Sequence, residues 1–133
     1  MKKVIILGML LLMGCSNNYV ENKIEGKWNV TRFFAYTPEV SLELVNGAKE
    51  MALSTSYKFA KNKTVVVISD ILPVTQYGTY EILEDKTIAI TYNVAGFGVT
   101  EEYHIESFKR KSMRWNHKIR GIGYVLLTLE KEK

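Results

Sequence analysis

Cysteine, histidine and proline are all scarce here, with one of the first and two each of the others in 133 residues. A lone cysteine, Cys15, excludes an intrachain disulfide framework and a cysteine-built zinc cage. Two histidines, His104 and His117, leave little from which to assemble a metal centre. Glu102, His104 and Glu106 share one strand face about 6–7 Å apart, yet that face is expected to meet solvent. The chain also lacks a Gly-x-Ser-x-Gly elbow for a serine nucleophile. It has no glycine loop to cradle phosphate, and Gly96, Gly98, Gly121 and Gly123 read as turn glycines. No catalytic residue, metal or cofactor is expected, so the chain does not read as an enzyme. Charge of one sign is missing too. Setting aside Lys2 and Lys3 reduces the 18 basic residues to 16 against 14 acidic, too even a balance for a nucleic-acid binder. The one basic cluster of note, residues 109–114 (KRKSMR), suits a solvated turn or a contact with anionic headgroups.

Long apolar runs are absent except at the start. Met1, Lys2 and Lys3 precede about ten apolar residues, Val4 to Met13, the layout of a secretory leader and too short to span a bilayer as a helix. The stretch "LLMGCSNN", with Leu12, Gly14 and Cys15, resembles the bacterial lipobox. That resemblance implies lipid on the Cys15 sulfur, cleavage after Gly14 and an acylated amino terminus. Several acyl chains, each methylene adding about 0.8 kcal/mol, hold a protein firmly to a membrane. The expected organisation is a leader over residues 1–14, a lipidated cysteine with a polar tether over 15–23, and one domain over 24–133. Membrane lipid is then the first partner and the cell envelope the location. Ser16 directly after the cysteine resembles lipoproteins passed to an outer membrane, if the host is Gram-negative.

The remaining residues, about 110, suffice for a core that buries some two-thirds of the unfolded surface. They read as strand after strand with period two. Trp28, Val30, Phe34 and Tyr36 share one face, interrupted by Arg32. Met51, Leu53, Tyr57 and Phe59 line another before an Asn62-Lys63 turn. Tyr80 and Ile82, then Ile88, Ile90 and Tyr92, then Val99, Tyr103 and Ile105 follow. Met113, Trp115, His117 and Ile119 precede Val125, Leu127 and Leu129. Residues 38–54 are ambiguous. Asn46-Gly47 signals a hairpin, yet Leu44, Ala48, Met51 and Ala52 fit one face of a helical lid. Eight to ten short antiparallel strands leave exposed edges unless the sheet closes. The fold class expected is therefore all-β, an antiparallel up-and-down barrel, since a sandwich needs long crossing connections.

Gly26-Lys27-Trp28, at the head of the first strand of such a meander, resembles the G-x-W motif of the lipocalins. The likeness is nearest to the small lipocalin-like domains of bacterial lipoproteins. It implies that Gly26 lets the chain turn into the barrel and that Trp28 plugs the closed end. In the larger members an arginine packs over that tryptophan, a place for which Arg114 or Arg120 would serve. The family's second motif is not recognisable, which favours a short barrel with a small cavity.

Strand parity places Trp28, Arg32, Tyr57, Phe59, Tyr80, Tyr92, Tyr103, Trp115 and His117 inside. Arg32, Tyr57, Tyr80, Tyr92, Tyr103, Trp115 and His117 form the candidate ligand site, where rings, one cation and one imidazole would receive a small apolar or amphipathic molecule. Buried rings and an Arg32 paired with an inward carboxylate such as Glu101 are the plainer reading. Two functions follow: a carrier of such a ligand, or a tethered interaction or inhibitor module whose loops contact another envelope protein.

Overall fold

A computed structural model of the chain describes residues 20–36, 41–72, 75–84 and 86–133. The expectations for the leader and for Cys15 fall outside them. Eight strands form in chain order: β1 (Gly26–Ala35), β2 (Thr55–Phe59), β3 (Thr64–Ser69), β4 (Gln76–Ile82), β5 (Thr87–Val94), β6 (Phe97–Phe108), β7 (Ser112–Ile119) and β8 (Gly123–Lys131). One helix, α1 (Leu42–Leu53), stands between β1 and β2. Each strand pairs antiparallel with its neighbours in sequence, and β8 returns to β1, so the sheet is a closed barrel. Closure removes the open edges that the strand count would otherwise leave.

Alternation selects the inward set along most strands. Ile88, Ile90 and Tyr92 of β5 and Val125, Leu127 and Leu129 of β8 are buried. Tight turns hold neighbours in register. Ala95 and Gly96 alone join β5 to β6, at φ of 51° and 87°, a two-residue hairpin whose positive φ values match the strand twist. Asn93 Oδ1 accepts from the Gly96 N–H at 3.1 Å there.

Three expectations change. The first concerns β1, where Thr31 is an extra residue: Val30 faces Leu129, and Arg32 faces the adjacent Thr128. Such a bulge resets which side chains point inward. Phe33 and Ala35 pack on the core instead of Phe34 and Tyr36, and Arg32 is exposed. Second, the Asn46-Gly47 hairpin signal is overridden by α1. Val45, Ala48 and Ala52 pack against the core, offsetting a mid-helix glycine that costs about 1 kcal/mol. Met51 and Leu53 therefore belong to this helix rather than to a strand with Tyr57 and Phe59. Ser54 Oγ and Thr55 Oγ1 both donate to the Met51 carbonyl, at 2.8 and 2.7 Å, where the helix ends and β2 begins. Third, the packed body starts before Ile24. Residues 20–23 are helical, and Val20 is buried with Ile24, an apolar contact hidden in a polar run.

That turn seals one end of the barrel. Trp28 is fully buried, and its Nε1 donates to the Ile24 carbonyl at 2.7 Å, while the Ile24 N–H donates to Val20 O at 2.8 Å. Gly26 sits at φ +127°, and a Cβ there would lie 2.7 Å from Lys131 Cε. Lys131 covers the tryptophan: its Nζ lies 5.6 Å from the ring centroid and donates to the Lys23 carbonyl at 3.1 Å. Arg114 and Arg120 do not take this place. Arg114 alternates outward between Met113 and Trp115, Arg120 lies in the β7–β8 turn, and both are exposed.

Candidate functional site

Above Trp28 the interior is filled by rings in contact. Tyr57 meets Trp115 edge-on at 5.0 Å, Phe59 meets Tyr80 at 4.9 Å, and Tyr103 lies against Trp115 at 4.7 Å. The first two pairs are edge-to-face and the third is tilted, arrangements that suit the ring quadrupoles. Toward the opposite end the filling stops. There a pocket of about 350 Å³ opens between Tyr57 of β2, Val67 of β3, Tyr92 of β5 and Tyr103 of β6, with Met51 of α1 at its edge. Among the described residues, the short β2 and β3 end at this mouth, which opens beside Met51 and Leu72.

Among the described residues lining the mouth, Glu101 carries the one acidic group, and no basic side chain joins it. Tyr103 Oη donates to Glu101 Oε2 at 2.7 Å. The Tyr57 and Tyr92 rings line the same mouth beside Tyr103. Burial pushes the Tyr57 hydroxyl up to about 12; the neighbouring Tyr103 acts weakly against this, and the Glu101 charge adds to it. Burial likewise raises Tyr92 and Tyr103, and neighbouring tyrosines and Glu101 add to it. All three hydroxyls therefore stay protonated near neutral pH and can offer or accept hydrogen bonds without charge. A polar group entering the mouth meets phenols and a carboxylate.

The structure brings Tyr57, Tyr92 and Tyr103 together at the mouth and sets Trp115 beneath them, but it separates the other candidates. Tyr80 points inward near the closed end, where its hydroxyl donates to the Ala60 carbonyl at 3.0 Å. His117 is at the rim, stacked on Tyr103 at 4.2 Å with Nδ1 3.0 Å from the Glu102 carbonyl oxygen. It borders a separate outer pocket beside Lys118 and Arg120. Arg32 is outside the barrel altogether, a consequence of the bulge at Thr31. Glu101, by contrast, does face inward, but Arg32 is not its partner. Met51 and Gln76 also line the mouth. Only the β6 alternation through Glu101, Tyr103 and Ile105 pointed to one of these additions.

A larger groove, about 610 Å³, lies on the outer face between α1 and strands β1, β7 and β8. It is open along its length, whereas the mouth reaches down to buried rings.

No family model matches the chain, and no curated protein matches it. Among solved structures it is similar to a DUF4847 family protein from Bacteroides vulgatus, solved at 1.00 Å resolution, with a TM-score of 0.53. The likeness covers 86% of this chain and 99% of that one at 12% identity. At that identity it speaks for the barrel fold alone.

Proposed function

We propose that this is an acylated lipoprotein of the cell envelope whose barrel holds a small apolar or amphipathic ligand in its mouth. The observation that carries the reading is the pocket of about 350 Å³ over Tyr57, Tyr92 and Tyr103, open at the end away from Val20. That volume is at the lower end of those that enclose small ligands. Since Arg32 is outside, the polar end of such a ligand is held by the tyrosine hydroxyls and Glu101. No catalytic step and no cofactor belongs to this reading. Acylation rests on the Leu12-Met13-Gly14-Cys15 sequence, and the chain enters the barrel at the closed end. Any anchor therefore pulls on the face opposite the mouth.

Two experiments test it. Cys15→Ser should leave an unprocessed or mislocalised precursor, while the native protein partitions into detergent with acyl chains attached. Native protein found soluble with a free Ser16 terminus removes the anchor. For the ligand, small molecules released from natively purified protein are identified by mass spectrometry. Trp115 emission is followed while alcohols, amines and acids with apolar bodies are titrated. No released molecule and no spectral change with any of them rejects the carrier.

A second reading is favoured by a separate observation. Large apolar side chains left exposed among the described residues gather at the mouth end, including Phe34, Tyr36, Leu44, Ile71, Phe97 and Tyr124. An exposed apolar rim of this sort marks contact surfaces. In that reading the barrel is a tethered interaction module that presents its loops to another envelope protein.

A further inference from the structure

On the outer face, Arg32 of β1, Thr128 of β8 and Arg114 of β7 form one cross-strand row: Arg32 pairs with Thr128, and Thr128 with Arg114. All three alternate away from the core, so the arginine Cα atoms lie about 10 Å apart, twice the strand spacing, with a hydroxyl between them. Both guanidinium groups can reach one point above Thr128. The next row toward the mouth pairs Phe34 with Leu126, giving an apolar floor beside the cationic row. Helix α1 forms the opposing wall with Lys49 and Leu53, four residues apart and so on one helix face.

The groove of about 610 Å³ so formed is lined by three cations and no acid among the described residues. None of the three forms an ion pair with a described carboxylate, whereas Lys27 pairs with Glu132 and Lys63 with Glu21. Glu130, two residues beyond Thr128 on β8, is not paired with either arginine. Like charges converging without a counter-charge repel one another, and a bound anion relieves that cost. Two planar forks within reach of one point suit an oxyanion better than a single charge does.

We infer that this outer groove is a second binding site, distinct from the mouth, for an amphipathic anion. Its phosphate or carboxylate head rests on Arg32 and Arg114 over Thr128, with Lys49 as a third contact. Its apolar body lies along Phe34, Leu126 and Leu53. The bulge at Thr31 makes the site by turning Arg32 outward into the row.

The test uses the mature chain in phosphatidylcholine nanodiscs, with empty nanodiscs as the blank. Hexyl phosphate, hexanoate, inorganic phosphate, hexanol and hexylammonium are titrated by calorimetry. The two hexyl anions should bind more tightly than hexanol and hexylammonium, and hexyl phosphate more tightly than inorganic phosphate. Arg32→Met and Arg114→Met should each weaken hexyl phosphate about tenfold or more, and Lys49→Met less. If hexanol or hexylammonium binds as well as the anions, the inference is overturned. It is equally overturned if anion binding survives both arginine changes, because the anion then sits elsewhere, as in the mouth. The ranking in the unmodified chain decides even if a variant fails to fold. Only phosphate binding without a gain from the hexyl chain would reduce the site to an adventitious cation cluster and reject it.

Discussion

Trp28 and Arg32 stand on one strand and predict opposite responses to substitution. Trp28 is fully enclosed and its indole N–H is satisfied by Ile24. Trp28→Ala therefore removes a large packed ring and orphans a buried carbonyl, and should cost about 3–5 kcal/mol in urea denaturation. Arg32→Met lies on the outer face and should change stability by no more than about 0.5 kcal/mol. A large loss there would mean that the arginine is built into the core. The tyrosines make a pH prediction. Tyr57, raised by burial to about 12, keeps its proton in the folded state at pH values where an unfolded tyrosine, near 10, loses it. The unfolded state then binds fewer protons, so stability is complete below about pH 10 and falls as pH rises toward 12. Tyr92 and Tyr103 act in the same direction. Absorbance of tyrosinate during alkaline titration should show these groups ionising only with unfolding. Their ionisation in a chain that keeps its near-ultraviolet circular dichroism would contradict the buried cluster.

At the scale of elements, two glycines separate helix economics from sheet contact. Gly47 is in the middle of α1, and an added Cβ meets nothing within 4 Å. Gly47→Ala should stabilise the protein by about 0.5–1 kcal/mol through helix propensity and a less flexible unfolded chain. If residues 46 and 47 formed a hairpin instead, the same change would destabilise. Gly78 of β4 is different, because a Cβ there would lie 2.5 Å from the Thr91 carbonyl oxygen of β5. Gly78→Ala forces two strands apart and should cost about 1–3 kcal/mol. Thermal melts of the two variants, moving in opposite directions, check both statements together.

The whole molecule has unlike ends. Val20, Trp28 and Lys131 seal the closed end, and the turns there expose Lys61, Lys63, Lys86, Lys109, Arg110 and Lys111. The mouth end carries the pocket and the exposed apolar rim. If the chain is acylated at Cys15, its basic turns face the anchoring membrane, where each near-surface cation contributes about 1 kcal/mol toward anionic lipid. Transfer of the acylated protein between vesicles should then slow when phosphatidylserine is included at low salt. Replacing Lys109, Arg110 and Lys111 with Gln should remove that difference. Equal transfer rates from neutral and anionic vesicles would place the basic end away from the bilayer.

Local patterning suffices for the barrel. Period-two patterning from Tyr80 to Leu129 selects most of the inward side chains, Val99 and the irregularity after Ile105 excepted, and short turns oblige neighbours to pair antiparallel. Those are local constraints, so Tyr57, Tyr92, Tyr103 and Trp115 could be placed inside without knowing the fold. Trp28 was legible in the same way. The remaining features depend on partners distant in the chain. The bulge at Thr31 is fixed by how β8 registers against β1, and one extra residue turns Arg32 from the cavity to the outer face. Helix α1 overrides a hairpin signal because Val45, Ala48 and Ala52 find core to bury against. Lys131 covers Trp28 only because β8 closes beside β1. The candidate sites follow the same division: alternation chose the rings, but closure and one bulge decided which charges accompany them.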